Sequence, residues 1–131
     1  MHSMNKKFLG IDYGDKRVGL SLAEDKGPAL PFKVIQNTKN LIQDIQDVID
    51  QEYINEIVVG LPHSFSGQEN ERLIITKNFI EKLQASLKIN VATVDEQLTS
   101  KLYEKMGVTK DIDKYAATAI LDTYLNKRSI T

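Results

Sequence analysis

The sequence has no cysteine, so disulfides and zinc–thiolate centres are excluded. It has no low-complexity tract, no internal repeat and only three prolines. No apolar run approaches the roughly 18 residues of a membrane span. The opening MHSMNKK lacks the apolar core of a signal peptide. Met4 is a candidate natural start, with Met1–Ser3 as a cloning remnant and residues 1–5 outside the folded part. No membrane partner and a cytoplasmic location are expected. A global basic field is also missing, since the net charge is −1. The two histidines, His2 and His63, have no ligand or nucleophile partner at a recognisable spacing. Ser64 and Ser66 sit in no nucleophile-elbow pattern. The usual hydrolase nucleophiles and the usual zinc ligands therefore give no lead.

What is present suits one globular domain. The chain has 131 residues, 41% hydrophobic and 27% charged, enough for a single buried core. Charge is unevenly spread. Residues 1–39 hold seven Lys/Arg against four Asp/Glu, residues 40–70 hold six acids and no Lys or Arg, and residues 101–131 hold six bases against four acids. A basic side and an acidic side are expected.

The hydrophobic pattern orders the elements. Lys7–Gly14 and Arg17–Ala23 read as an antiparallel pair joined through Gly14, Asp15 and Lys16. Leu30–Gln36 reads as a third strand. Thr38 is a helix N-cap candidate, and Leu41, Ile42, Ile45, Val48, Ile49 and Tyr53 follow at helical spacing. Glu56–Leu61 reads as a buried strand stopped by Pro62, and HSFSGQEN as a loop. A helix over Glu69–Leu87 points Leu73, Phe79, Ile80, Leu83 and Leu87 inward. A strand over 89–96 ends in two acids. A short helix over Leu98–Met106 and a last helix over Tyr115–Leu125 complete the chain. The order β-β-β-α-β-α-β-α-α predicts antiparallel strands first, then helix-connected parallel ones. Ligands of such sheets bind beyond the carboxyl ends of the strands.

Acids stand at those ends. Asp12 closes the first apolar run, Glu96 the last strand, and KDIDKYAA offers Asp111 or Asp113. Carboxylates brought together repel, and a hard divalent cation removes the conflict. Mg²⁺ or Mn²⁺ held this way can activate water against a phosphodiester. Asp15 reads as a turn residue and Asp95 as a helix cap. Lys16 and Arg17 suit phosphate oxygens. In GLPHSFSGQENER, Gly60 follows the strand's apolar run, Gly67 precedes a helix start, and Arg72 lies about one turn inside it.

Four segments together resemble the YqgF/RuvX family. GIDYGDKRVGLSLAE is similar to its opening D-x-G-x-K-R-x-G strand-turn-strand. VVGLPHSFSGQENER is similar to its G-L-P loop, TVDEQLTS to its D-E-R-L-T strand end, and IDKYAATAILDTYL to its final D-x-x-A-A helix. The resemblance runs in order from residue 7 to about 126. It implies a ribonuclease H-like α/β fold: one domain over 1–131, with a five-stranded mixed sheet and helices on both sides. It implies a nuclease of structured RNA, processing the 5′ end of pre-16S ribosomal RNA in ribosome biogenesis. Branched DNA, as for a Holliday junction resolvase, is the alternative substrate. A non-catalytic RNA- or ribosome-binding module is the alternative class. By position, Asp12, Glu96 and Asp113 are implied as the catalytic, metal-holding carboxylates. Lys16, Arg17, Gly60, Gly67 and Arg72 are implied as the substrate-binding set. Mg²⁺ or Mn²⁺ is the implied cofactor, and nucleic acid the partner, with ribosome association, of a monomer or homodimer. Gln97 replaces the family's arginine, Ser64 its asparagine, and GVTKDID is shorter and less basic than its usual loop. These departures bear on substrate affinity rather than on the acid trio. The same D-x-G hairpin begins the phosphate loop of actin-like ATP-binding proteins, but those need two lobes and this length supplies one.

Overall fold

The computed structural model describes residues 5–62, 71–95 and 112–130. Five strands form one sheet: β1 (Lys7–Tyr13), β2 (Arg17–Glu24), β3 (Leu30–Gln36), β4 (Glu56–Leu61) and β5 (Asn90–Asp95). Three helices accompany them: α1 (Leu41–Glu52), α2 (Glu71–Ser86) and α3 (Ile112–Ile130). The strand order is β3-β2-β1-β4-β5. β1 pairs with β2, and β2 with β3, antiparallel; β1 with β4, and β4 with β5, pair parallel. The expected mixed sheet is therefore present.

Alternation along the strands decides which residue meets which layer. On β1, Leu9 and Ile11 join a core with Leu41, Ile45 and Val48 of α1 and Phe79 and Leu83 of α2. Phe8, one residue out of phase, joins Val58, Val94, Ile120 and Leu121 on the other face, under α3. The sheet is thus covered on both sides: α1 and α2 on one, α3 on the other. β4, EIVVGL, is buried on both faces, which explains its unbroken apolar run.

The helix boundaries show where tertiary contacts override local signals. Asn40, not Thr38, is the N-cap of α1, and its side chain makes no capping bond. The Thr38 hydroxyl instead accepts from the Asn40 N–H at 3.1 Å, forming a turn ahead of the helix. Tyr53 does not extend the apolar face. It ends α1 in the left-handed conformation, φ 57°, and is 83% exposed. α2 buries Thr76 along with Phe79, Ile80 and Leu83, and the Thr76 hydroxyl donates to the Arg72 carbonyl at 2.8 Å. That internal bond removes the penalty of a buried hydroxyl. The helix expected over Leu98–Met106 and the HSFSGQEN loop lie outside the described residues.

Among the described residues no helix is long and apolar enough to cross a membrane.

Candidate active site

Asp12 sits at the penultimate position of β1 and is half-buried. Its parity puts it on the α3 face, two residues beyond Gly10. Its partner on β2 is Gly19. On β4, the Ile11–Val59 pair is followed by Gly60 beside Asp12. With glycine on both flanks, no neighbouring side chain of the sheet competes for the space next to the carboxylate. Gly60 therefore lies within β4 and not in the loop after it. Gly19 is absent from the residues singled out in the sequence. Its relation to Asp12 is a matter of strand register, which no local pattern carries.

α3 crosses this face in a direction that can be read from three contacts. The buried Ser21 hydroxyl donates to the Ala117 carbonyl at 2.7 Å. Ser21 pairs with Gly10, so Ala117 lies over Gly10. A β-carbon on Gly10 would collide with the Ser21 hydroxyl and lie 2.8 Å from the Ala117 oxygen. Further along, the Tyr124 hydroxyl donates to Glu56 at 2.8 Å, and its ring meets Phe8 edge-on at 6.1 Å. From Ala117 to Tyr124 the helix thus runs from Gly10 back to Phe8, antiparallel to β1. Its first turn consequently points to the carboxyl end of β1, where Asp12 stands. Position 113 is four residues before Ala117, roughly 6 Å along a helix. Asp12 is two residues after Gly10, roughly 7 Å along a strand. The two advances match, so helix position 113 is carried to the level of Asp12.

The remaining expected residues divide as follows. Asp95 ends β5, but Val91 belongs to the α1/α2 core and Ala92 and Val94 to the α3 side. Alternation therefore turns Asp95 to the face opposite Asp12. The adjacent acid, Glu96, lies outside the described residues, as do Gly67 and Asp111. Asp113 is described by its helix position alone. Among the described residues no three His, Asp or Glu side chains group as metal ligands would. Lys16 and Arg17 are exposed, Lys16 closing the turn that follows Tyr13 and Arg17 opening β2. A β-carbon on Gly14 would come within 2.5 Å of the Arg17 carbonyl, so this tight turn requires glycine.

Arg72 is exposed on the first turn of α2. Tyr13 stacks on Phe79 at 4.1 Å, which fixes that part of α2 at the carboxyl end of β1. Arg72, seven residues earlier and on the Thr76–Phe79 face, extends roughly 10 Å beyond it. The structure thus brings Asp12, the Lys16–Arg17 turn, Gly60, the start of α3 and Arg72 to one end of the sheet. The acids of α1 lie in the opposite layer, and Asp47 and Asp50 are engaged by Gln43 and Gln46 at 2.9 Å each.

A carboxylate donor set without sulfur is the chemistry of a hard, oxygen-preferring cation such as Mg²⁺ or Mn²⁺.

Comparison with known proteins covers nearly the whole chain. A family described as RuvX, Holliday junction resolvase, matches residues 6–127. A Desulforudis audaxviator protein provisionally named a pre-16S rRNA nuclease is 35% identical over 134 residues, covering 93% of this chain and 95% of its own. A Sulfurihydrogenibium protein with the same provisional name is 35% identical over 135 residues, covering 95% and 93%. Among solved structures, Thermus thermophilus RuvC in complex with Holliday junction substrate superposes with a TM-score of 0.62 at 13% identity, covering 95% of this chain and 96% of its own. The fowlpox virus resolvase, with its Holliday junction DNA, gives 0.55 at 8% identity, covering 93% and 98%. At such identities these two structures establish the fold, which is the ribonuclease H-like sheet of the RuvC-type resolvases.

Proposed function

The chain belongs to the RuvX, Holliday junction resolvase, family, and from that membership we propose that it is a metal-dependent nuclease of structured RNA whose substrate is the 5′ end of pre-16S ribosomal RNA. The observation that carries the site is the antiparallel run of α3 over β1, which brings helix position 113 level with Asp12. In this reading Asp12, Glu96 and Asp113 hold Mg²⁺ or Mn²⁺. A cation bound there supplies Lewis acidity toward the phosphate and a water of lowered pKa. Lys16, Arg17 and Arg72 hold the flanking phosphates at the same end of the sheet, and Gly60 and Gly67 complete the substrate-binding set. Water adds to phosphorus and gives up a proton to solvent, the scissile P–O bond breaks with its electron pair leaving on the ribose oxygen, and that oxygen takes up a proton from solvent to become a hydroxyl. Provisional names of the relatives favour ribosomal RNA as the substrate. The work is then cytoplasmic, in contact with the assembling ribosome.

The test is incubation with a 5′-extended 16S precursor and, separately, a four-way DNA junction, in Mn²⁺, alongside Asp12→Asn. Cleavage of the RNA by the parent and none by a folded Asp12→Asn protein is expected. The amide keeps the shape of the side chain and loses the charge that a cation needs. A junction cut while the RNA is spared would replace the substrate. A folded Asp12→Asn protein cutting at the parent rate would remove the metal site.

A further inference from the structure

The β1–β2 turn is held from outside by one residue. Asn37 follows β3 directly. Its backbone N–H donates to the Lys16 carbonyl at 2.9 Å, extending the β2–β3 ladder one rung past the Arg17–Gln36 pair. Its side-chain amide donates to the Gly14 carbonyl at 2.7 Å, in a part-buried setting. Because the acceptor is a carbonyl, the amide nitrogen must face it. Asn37 thus grips both ends of the three-residue step Gly14, Asp15 and Lys16 that joins β1 to β2. The turn has little slack of its own, since Gly14 packs against the Arg17 carbonyl. Lys16 itself is exposed, on a long flexible side chain. What fixes its origin is the backbone beneath it.

We propose that Asn37 is a positioning residue for nucleic acid: it holds the Gly14–Arg17 turn so that Lys16 meets a substrate phosphate adjacent to the Asp12 end of the sheet. Nothing in the residue's own chemistry touches the reacting atoms. Its contribution is to have the turn ordered before binding, so that less ordering is needed when a phosphate arrives. The proposal rests on the reading of Lys16 as a phosphate contact.

The test measures binding of a fluorescent RNA hairpin, in EDTA so that no cleavage intervenes, to four proteins: parent, Asn37→Ala, Lys16→Ala and the double variant. Asn37→Ala keeps the backbone bond and removes the side-chain one. It should raise Kd about three- to tenfold, and Lys16→Ala should then cost less in the Asn37→Ala background than in the parent, because coupled residues are not additive. Mn²⁺ affinity by calorimetry should not move. A merely structural Asn37 would lower Tm while Kd per folded molecule stays at the parent value, and that result overturns the proposal. Additive effects of the two substitutions overturn it as well. If Asn37→Ala does not fold, Asn37→Ser is read by the same criteria. A parent that binds no RNA overturns the proposed function and this role together. A parent that binds, weakened by Lys16→Ala but not by Asn37→Ala, overturns this role alone.

Discussion

Gly10→Ala probes the contact on which the candidate site depends. Gly10 is covered by α3, and an added methyl would collide with the Ser21 hydroxyl and lie 2.8 Å from the Ala117 oxygen. The serine can be displaced, but the Ala117 oxygen is helix backbone and yields only if α3 moves. Overpacking of this kind costs about 1–3 kcal/mol. Strain on the 2.7 Å Ser21–Ala117 hydrogen bond adds about 1 kcal/mol. Replacing glycine in a strand returns roughly 0.5–1 kcal/mol of chain entropy. The net expectation is a loss of about 1–3 kcal/mol. For a domain of this size that is a fall in Tm of roughly 3–12 °C. Ser21→Ala alone removes the hydrogen bond and should cost about 1 kcal/mol. In the double variant one of the two obstacles is gone, so the combined loss should be smaller than the sum of the single losses. Thermal unfolding by circular dichroism on the four proteins reads this directly. Cleavage by folded Gly10→Ala at 25 °C should also fall, because a shift of α3 near 1 Å moves position 113 away from Asp12, and misplacement of that size costs about a hundredfold in rate. A Gly10→Ala protein that melts with the parent and cuts at its rate would refute the placement of α3. Strict additivity with Ser21→Ala would refute the shared contact.

Two further outcomes follow from the same geometry. Lys16→Ala and Arg72→Ala should each weaken RNA binding and lower the slope of log K against log salt by about 1, as one phosphate contact is lost; titrations between low and moderate salt would show an unchanged slope if neither residue meets a phosphate. Asp113→Asn should lose Mn²⁺ affinity and cleavage while Asp111→Asn keeps both, as calorimetry and a cleavage assay can establish. Loss in Asp111→Asn alone reverses the assignment, and loss in neither removes the three-carboxylate centre.

Local chemistry in the sequence was sufficient for the elements among the described residues and for their order. The apolar runs read as strands over Lys7–Gly14, Arg17–Ala23 and Glu56–Leu61 correspond to β1, β2 and β4, with the first ending at Tyr13 and the second extending to Glu24. The helical spacing of Leu41, Ile45 and Val48 matches the buried stripe of α1. Those patterns report burial of each residue's own side chain, which is why they can be read without partners. The placement of Asp12 at a strand end was legible for the same reason. What the tertiary structure alone decided is which residues share a face and a level. Thr38 carries a capping side chain, yet the chain enters α1 at Asn40; Tyr53 has the helical spacing, yet its left-handed backbone takes it into solvent. Gly60 beside Asp12 and Asn37 beneath the Lys16 turn join segments separated in the sequence, and Gly19 reaches Asp12 through the register of the β1–β2 hairpin. Asp95 and Glu96 are equivalent as acids in a sequence, and only the parity of β5 against its two cores turns Asp95 away from Asp12. The direction of α3 has the same origin: Ser21, Glu56 and Phe8 on three different strands hold it, and no pattern within residues 112–130 encodes which end of the helix meets the carboxylate.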